Sequence, residues 1–360
     1  MKVSINTTYA YMRLNLNYGS ILQCYALQRV LSQRGHTSSV VRDIRSNPKV
    51  ILRRMKNIRY PACFFAKLSA QNKAKNFIRR QMKVSPRIYY SYASLQSHCP
   101  EADIHIAGSD QIWRKMNKSR FLAYVPDNVV KLSYAASFGR REIPNNEQME
   151  MKKLLSRFDG ISVREETGLQ ILQSMGIEGQ MLLDPTLLLD SNEYPVSSVE
   201  TNLDEYAYCY FVNVGRLDSI PFVSIQEYVR SIGARLRITS PNSYPLFAKL
   251  RPEFPSVEDW LSLYKNAKCI ITNTYHGLLF SIIFKKNFLV CLQGGGLHPE
   301  NDRFITVMNM LGLRDRVISS DDSANDISKK MEMSIDYERI YGIIHDRRKE
   351  TEEFFLKHGL

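Results

Sequence analysis

The sequence has neither a long apolar run nor closely spaced cysteines. No hydrophobic stretch approaches the roughly 18 residues that a membrane-spanning helix needs. The opening residues, MKVSINTTYAYMRLN, have no apolar core after the single lysine, so we expect no signal peptide. The six cysteines include no C-x-x-C pair, a pattern typical of reduced thiols. With 44% hydrophobic and 24% charged residues, this length predicts a cytoplasmic globular protein of two domains.

Motifs of common nucleotide and metal sites are also missing. The sequence contains no G-x-G-x-x-G, Walker or G-x-S-x-G pattern, and we interpret the glycines at 294–296 as a flexible lip. Two groups of possible metal ligands lack the spacing of a known zinc or calcium site, so we expect no metal. These groups are His298, Glu300 and Asp302, and His98, Cys99 and His105.

Acidic residues are absent from residues 44–100, which contain thirteen Lys or Arg and no Asp or Glu. The rest of the chain balances at 36 basic against 36 acidic residues, so this segment accounts for the net charge of +13. A basic block interleaved with Ile, Tyr and Phe attracts anions and predicts docking to an anionic membrane surface. A solvated helical insertion is the alternative. Nucleic-acid binding is a third, but no nucleic-acid motif accompanies the charge, and we expect no such partner.

Short apolar strands alternate with helical segments along most of the chain. This alternation is typical of parallel, doubly wound sheets. A polar stretch, DSNEYPVSSVETNLDE, separates two such sets and is where we place the domain boundary. The prediction is an α/β protein with two Rossmann-like domains facing a cleft, a GT-B-like arrangement. The predicted parts are residues 1–190 with a basic helical insertion at about 44–100, residues 191–322, and C-terminal helices over 323–360.

Polar clusters follow several predicted strands, and His276 lies after one of them, in the first turn of the helix YHGLLFSII. Ligands of open α/β sheets bind beyond the carboxyl ends of strands, where helix N-termini favour anions. His276 could instead be a core or capping histidine, and Arg164 an ion-pair partner of the adjacent glutamates. The other clusters lie at 17–19, 108–111, 137–139 and 164–166.

At these same residues the chain resembles the polysaccharide pyruvyl transferase family. The resemblance runs in family order through seven blocks and leaves out the basic block. The blocks are NYGSILQCYALQRVL, IAGSDQIW, FLAYVP with KLSYAASFG, ISVREETG, LLDPTLLL, WLSLYKNAKCIITNTYHGLLFSIIFKKNFLV and NDRFITVMNMLGL.

This resemblance implies a GT-B-like enzyme that moves a pyruvyl group from phosphoenolpyruvate onto a pair of sugar hydroxyls as a cyclic ketal. Such enzymes serve capsule, exopolysaccharide or cell-wall polymer synthesis. The implied partner is a saccharide acceptor, often lipid-linked, at the inner face of the membrane, where the protein would be peripheral. Phosphoenolpyruvate is the donor substrate, and the scheme requires neither cofactor nor metal.

The family's histidine falls on His276, its donor-binding arginine on Arg164, and its arginine after the last strand on Arg303. Protonating the enol carbon of phosphoenolpyruvate needs a side chain that titrates near neutral pH, which suits a histidine acting as general acid and base. The donor's carboxylate and phosphate suit planar, permanently charged arginines. We therefore predict His276 as the catalytic residue and both arginines as anion holders.

Some family members have an arginine where this chain has Thr274, so the phosphate here would rely on Arg164 and Arg303, or on Lys285 or Lys286. Asn273 and Thr274 are further predicted donor-site residues. The predicted acceptor and cleft residues are Asn17, Gly19, Asp110 and Gln111.

Two other functions are compatible with the same sequence. A two-domain cleft of this kind also hosts glycosyltransferases that use a nucleotide sugar. A non-catalytic saccharide-binding or scaffold protein is the other alternative, and it predicts that His276→Ala leaves function intact.

Overall fold

The computed structural model of the protein describes residues 1–9, 16–43, 61–198, 205–241, 243–292 and 301–360. The described residues form two β-sheets, one of seven strands and one of five. The strands are β1 Lys2–Asn6, β2 Thr37–Asp43, β3 Val84–Tyr89, β4 Ile104–Ala107, β5 Val130–Ala136, β6 Gly160–Val163, β7 Gln180–Met181, β8 Tyr206–Tyr210, β9 Arg235–Thr239, β10 Cys269–Thr272, β11 Asn287–Cys291 and β12 Val317–Ile318.

Both sheets are doubly wound. Strand order in the first sheet, β3-β2-β1-β4-β5-β6-β7, reverses direction between β1 and β4. In the second sheet, β12-β11-β10-β8-β9, it reverses between β8 and β10. Neighbouring strands of each sheet pair in parallel. The predicted pair of Rossmann-like domains is therefore confirmed, and each has a switch point of the kind that binds ligands.

Several helices begin at a residue whose side chain caps them. The Asn17 side chain accepts a hydrogen bond from the Ser20 N–H at 3.2 Å at the start of the first helix. Ser256 and Asp259 form the capping box that their spacing predicts. The helices are α1 Tyr18–Gln33, α2 Pro61–Gln81, α3 Tyr92–Ser97, α4 Asn145–Leu155, α5 Glu166–Ser174, α6 Phe222–Ser231, α7 Tyr244–Phe247, α8 Val257–Asn266, α9 Tyr275–Ile283, α10 Asp302–Leu311, α11 Ala324–Glu332 and α12 Tyr337–Lys357.

One hydrophobic core extends across both domains. Tyr18, at the start of α1, stacks on Trp260 of α8 with 5.1 Å between ring centroids, and both side chains are fully buried. The Tyr18 hydroxyl also donates to the Pro255 carbonyl at 2.8 Å. Because a buried aromatic pair joins the domains at this point, the start of α1 is fixed relative to the second domain.

The last helix, α12, connects the second domain back to the first sheet. Near its start, the Tyr341 hydroxyl donates to the Ile283 carbonyl at 2.9 Å. Near its end, Phe355 stacks on Tyr134 of β5 with 5.1 Å between centroids. This helix therefore spans both domains.

The basic block differs from its prediction. Residues 44–60 lie outside the described residues, and α2 follows them. Strand β3 comes next and pairs with β2 at the edge of the first sheet, so the predicted helical insertion is interrupted by a strand at Val84–Tyr89, and the helix α3 follows it. Basic residues flank this strand and hide its alternation of apolar and polar residues in the sequence. Charged residues around an edge strand are usual. No helix in the described part of the chain has the length and apolar character of a membrane span.

Candidate active site

The switch points of the two sheets contribute to a single polar site. On the first sheet, Thr7 follows β1 and Ser109 follows β4, and the Thr7 hydroxyl donates to the Ser109 carbonyl. On the second sheet, β10 ends at Thr272, and α9 begins three residues later. Asp184, in the turn after β7, lies between these two groups of residues and contacts both.

His276 is held in the first turn of α9 by a cap. The Thr274 hydroxyl accepts a hydrogen bond from the Gly277 N–H at 2.9 Å, and the Thr274 N–H donates to the Thr272 hydroxyl at 3.1 Å. This geometry directs the His276 ring toward Asp184, with 3.7 Å between Nε2 and Oδ2. The ring is 7% exposed, so the site offers little access to bulk water.

Gly19 in α1 packs directly against the imidazole of His276. A Cβ atom at this position would lie 2.2 Å from Nδ1 of His276, which is far inside van der Waals contact. The predicted cleft residue Gly19 therefore lies next to the predicted catalytic residue, and its missing side chain makes room for the ring.

Asn273 has both polar atoms of its side chain in hydrogen bonds. Its Oδ1 accepts from the Val212 N–H at 2.8 Å, and its Nδ2 donates to the Val212 carbonyl at 2.9 Å. These contacts fix the loop after β8 beside the end of β10. Asn273 and Thr274 thus shape the backbone at the end of β10, and their contact with a donor stays a prediction.

Arg164 is fully buried beside Asp184. Its Nη1 lies 3.0 Å from Oδ2 of Asp184 and 3.3 Å from the Ser109 hydroxyl, and its guanidinium lies 4.7 Å from the Tyr275 ring centroid. Burial opposes the charge, but Tyr275 and Asp184 keep the pKa of the guanidinium above its usual value. Its Nε and Nη2 have no hydrogen-bond partner within the described residues, and they lie 3.7 Å from Oε2 of Glu165 and 3.6 Å from Oδ1 of Asp110.

Asp184 connects the predicted histidine and the predicted arginine. Its Oδ1 accepts from the Thr186 N–H at 3.1 Å and from the Thr186 hydroxyl at 2.8 Å, while its Oδ2 faces His276 and Arg164. Burial raises the pKa of the Asp184 carboxyl, but His276 and Arg164 outweigh burial and hold that pKa below its usual range. The carboxylate is therefore charged at neutral pH, and it lies beside both the His276 ring and the Arg164 guanidinium.

Sequence reasoning did not single out Asp184 or Tyr275 as site residues, and it included Ser109 only as a member of the polar cluster at 108–111. The signal for Asp184 was one acid within the apolar run LLDPTLLL, directly before the 3₁₀ turn Pro185–Leu188. Tyr275 precedes His276, and its ring centroid is 5.3 Å from the imidazole. These residues look like a turn and a core aromatic in the sequence, and only their contacts show that they belong to the site.

Arg303 lies in the first turn of α10, and its guanidinium is 5.4 Å from the Tyr275 ring centroid. The structure therefore brings Arg303, Arg164 and His276 together around one tyrosine. Lys285 and Lys286 follow the opposite end of α9, about 13 Å along the helix from His276 at 1.5 Å per residue. Arg164 and Arg303 are therefore the cations beside His276 in the described residues, and which cation receives the phosphate stays a prediction.

Three other predicted cleft residues lie at the edge of the first domain. Asp110 adopts a left-handed backbone conformation with φ of 91°, and its Oδ1 lies 3.6 Å from Nη2 of Arg164. The same oxygen accepts from the Gln111 N–H at 2.8 Å. Asn17 is exposed and caps α1. Asp110 and Gln111 therefore reach the site directly, whereas Asn17 supports the helix that carries Gly19.

Neither of the two candidate metal groups forms a cluster in the described residues, where no three His, Cys, Asp or Glu side chains are placed to hold an ion. Asp302 instead pairs with Arg141 at 2.6 Å. Burial lowers the pKa of the His105 imidazole to about 4. His298, Glu300 and the predicted lip at 294–296 lie outside the described residues.

A family model described as polysaccharide pyruvyl transferase matches residues 17–293, which is most of the chain. The match includes His276, Arg164 and Asp184 and ends before Arg303. No curated protein is similar enough to this chain to count as a match.

Solved structures of UDP-N-acetylglucosamine 2-epimerases share the fold. The enzyme from Methanocaldococcus jannaschii is 12% identical, with a TM-score of 0.55 over 94% of this chain and 94% of the other. The Neisseria meningitidis enzyme bound to UDP-GlcNAc is 12% identical, with a TM-score of 0.53 over 99% and 100%. The Rickettsia bellii enzyme is 12% identical, with a TM-score of 0.55 over 99% and 96%. At this identity the likeness shows the fold alone, and it confirms the predicted GT-B-like arrangement.

Proposed function

Because the chain belongs to the polysaccharide pyruvyl transferase family, we propose that it transfers the pyruvyl group of phosphoenolpyruvate to a pair of saccharide hydroxyls. The observation that carries this proposal is the link from His276 through Asp184 to Arg164, where the two switch points meet. The carboxylate holds a titratable ring, which can protonate a small enol ester, beside a buried cation, which can hold the two anionic groups of that ester.

The proposed reaction forms two C–O bonds and releases phosphate. His276 gives a proton to the terminal enol carbon, and a sugar hydroxyl adds to the central carbon and loses its own proton. The bond from that carbon to the phosphate oxygen then breaks, and a second hydroxyl adds in its place. One of the two hydroxyl protons returns to His276 and replaces the proton that it gave to carbon. The other leaves with phosphate. In this proposal Asp184, whose Oδ2 lies 3.7 Å from Nε2 of His276, orients the ring for the proton transfer.

In this proposal the donor's two anionic groups bind to arginines. The Nε and Nη2 edge of Arg164 makes no hydrogen bond in the described residues, and a donor carboxylate would bind there in a bidentate way by replacing the longer contacts with Glu165 and Asp110. Arg303, at the start of α10, adds positive charge and a helix N-terminus for the phosphate. No cofactor or metal is needed.

Phosphate release from phosphoenolpyruvate tests this function directly. We expect release that depends on an acceptor from a panel of lipid-linked and synthetic saccharides. Replacing His276 with Ala should lower the rate at least about 100-fold, whereas the exposed His98→Ala control should keep it. The proposal would be overturned if no saccharide of the panel supported phosphate release and phosphoenolpyruvate caused no thermal shift of the protein.

The same measurements distinguish the alternatives. The structural neighbours named above act on UDP-N-acetylglucosamine, so a thermal shift from UDP-N-acetylglucosamine without one from phosphoenolpyruvate would favour a nucleotide-sugar enzyme. A scaffold or saccharide-binding protein predicts saccharide binding that His276→Ala leaves unchanged and no release of phosphate.

We also propose that the protein works at the cytoplasmic face of the membrane on a lipid-linked acceptor, with residues 44–100 as the docking surface. Support comes from the described part of this segment, in which α2 has no acid in its first turn and ends on Arg79 and Arg80. Lys73 and Arg79 are exposed. Such a surface attracts anionic lipid at about 1 kcal/mol for each basic residue near the bilayer.

Co-sedimentation with vesicles of phosphatidylglycerol and phosphatidylcholine tests the docking surface. The triple variant Lys73→Glu, Lys75→Glu and Arg79→Glu should lose binding, and high salt should remove it from the wild type. A matched control places the same charge change at exposed lysines of α11 and α12. Binding that ignores lipid charge, or that the control loses equally, would contradict the proposal. The control residues are Lys329, Lys349 and Lys357.

A further inference from the structure

An ion pair joins the two domains beside the candidate active site. Arg141 lies in the loop after β5 of the first domain, and Asp302 is the first residue of α10 in the second domain. Nε of Arg141 lies 2.9 Å from Oδ2 of Asp302, and its Nη2 lies 2.6 Å from Oδ1. Because two parallel hydrogen bonds fix direction as well as distance, this bidentate pair determines where the first turn of α10 lies relative to the first domain.

A second contact holds the same helix to the first domain one turn later. The Glu166 N–H, at the start of α5, donates to the Thr306 hydroxyl at 3.3 Å, and that hydroxyl donates to the Asp302 carbonyl at 2.9 Å. Residues 302 and 306 are four apart, so they lie on one face of α10. That face therefore contacts the first domain at two points, at Arg141 and at Glu166.

Arg303 lies between these two contacts in the sequence. Its guanidinium is 5.4 Å from the Tyr275 ring centroid, and Phe304 packs against the same ring with 6.0 Å between centroids. The start of α10 is thus held by Tyr275 in its own domain and by Arg141 in the other domain. The position of the Arg303 guanidinium depends on both.

The Arg141–Asp302 pair is more exposed than the other ionic contacts of the site. The Arg141 side chain is 41% exposed, whereas that of Asp302 is 9% exposed. A partly exposed ion pair adds little to folding stability, because water solvates the arginine when the pair is broken. Asp302 is also favoured at a helix N-terminus without Arg141. Removing Arg141 should therefore change the position of α10 more than the stability of the fold.

We propose that Arg141 is a positioning residue, which through Asp302 holds Arg303 where the phosphate of the donor binds. This inference rests on the proposed function for the role of Arg303. In the sequence Arg141 is one of two adjacent arginines in a loop, and its neighbour Arg140 pairs with Glu147 of the same domain at 2.6 Å. The contact with the second domain is what distinguishes Arg141.

Steady-state kinetics of phosphate release test the inference. Arg141→Ala should raise the KM for phosphoenolpyruvate about tenfold, the effect of one lost hydrogen bond to a charged group. At saturating donor, kcat should stay within about threefold of wild type, because the bound phosphate then holds Arg303 in place. Arg141→Lys keeps the charge without the bidentate geometry and should recover part of the affinity. Asp302→Asn should match Arg141→Ala, and the double variant should be no worse than either single variant.

Hydrogen exchange without donor is a measurement that does not depend on the reaction. The amides of α10 should exchange faster in Arg141→Ala and in Asp302→Asn than in the wild type, because the pair no longer holds this helix to the first domain. The control is Arg157→Ala, which breaks an ion pair with Asp127 inside the first domain. It should leave the KM and the exchange of α10 unchanged. Neither alanine variant should lower the melting temperature by more than about 3 °C.

Several results would overturn this inference. These are a KM of wild-type size in Arg141→Ala, unchanged exchange of α10 in that variant, or an equally raised KM in Arg157→Ala. A raised KM in Arg141→Ala with no change in Asp302→Asn would mean that Arg141 binds the donor directly, which also overturns it. If the wild type neither binds phosphoenolpyruvate nor releases phosphate, faster exchange of α10 in both variants would keep the positioning contact and reject the proposed function.

Discussion

The two halves of the candidate site use their polar side chains differently. On the second domain, the Asn273 side chain is hydrogen-bonded to the backbone of Val212 in the loop after β8, and the Thr274 side chain caps its own helix. On the first domain, Arg164 keeps Nε and Nη2 without a hydrogen-bond partner in the described residues, 3.7 Å and 3.6 Å from carboxylate oxygens of Glu165 and Asp110. A satisfied polar side chain fixes the backbone around it, whereas an unsatisfied one destabilises the fold and remains available to a ligand. Asp184 links the two halves.

Removing the charge of Asp184 should have the largest effect. Asp184→Asn leaves the buried Arg164 without its closest counter-charge, so we expect a loss of about 3 to 5 kcal/mol in unfolding free energy, measured with urea. The exposed Asp190→Asn control breaks an ion pair with Arg348 and should cost less than about 1 kcal/mol. Equal losses in the two variants would mean that Asp184 does not link the halves.

The loss of stability in Asp184→Asn should depend on pH, and the sign of this dependence is defined. The pKa of Asp184 is lower in the folded protein than in the unfolded chain, where it is about 3.9. Its stabilising contribution is therefore complete above that value and is lost as pH falls toward the folded pKa. The gap in stability between wild type and Asp184→Asn should narrow below about pH 4.

Filling the space between the halves should impair activity more than stability. Gly19→Ala places a methyl group where the His276 ring lies, so the ring must move away from Asp184. We expect phosphate release to fall about 100-fold, as for a misplaced catalytic group, with about 1 to 3 kcal/mol of destabilisation. Gly342→Ala, in open space on α12, is the control and should keep activity. Full activity in Gly19→Ala would mean that the ring position is unimportant.

Matched truncations on the two halves should separate satisfied from unsatisfied groups. Asn273→Ala removes two hydrogen bonds to Val212 and should cost about 1 to 3 kcal/mol in urea unfolding. Ser4→Ala, in β1 of the first domain, removes a buried hydroxyl without a partner in the described residues, so stability should stay within about 0.5 kcal/mol of wild type or increase. The comparison between the halves does not hold if Ser4→Ala is the more damaging change.

Neutralising Glu165 should have the smallest effect and the opposite sign. Burial raises the pKa of this carboxyl, so its contribution to stability is present below the unfolded pKa of about 4.3 and is lost as pH rises. Glu165→Gln keeps an acceptor for the Phe138 N–H and should therefore melt higher than wild type at neutral pH. The difference should vanish below about pH 4, and a lower melting temperature at neutral pH would contradict the expectation.

Much of the fold could be read from local patterns. The alternation of strands and helices predicted both sheets, and the spacing of Ser256 and Asp259 predicted a capping box that the structure contains. His276 was placed correctly at the end of a strand because an apolar run followed by a capped helix is a local signal. Strand β3 was missed because basic residues around its apolar positions resemble a solvated helix.

The site could be predicted only in part, for a physical reason. His276, Arg164 and Arg303 each follow a recognisable strand or begin a helix, and the structure does bring them together around Tyr275. Asp184 could not be found in this way, since an acid before a proline turn looks like an ordinary cap. Its role depends on side chains that are 20 and 92 residues away in the sequence, counting from 184 to 164 and to 276.

The sequence by itself determined the two doubly wound sheets and the positions of the candidate residues along their strands and helices. These properties follow from hydrophobic periodicity and helix caps, which act between residues close in the chain. The tertiary structure alone shows that one buried carboxylate joins His276 to Arg164, and which of the buried polar atoms around them are paired. Hydrogen-bond satisfaction depends on elements distant in sequence, and a strand order that reverses at β1 and β4 is what brings these elements together.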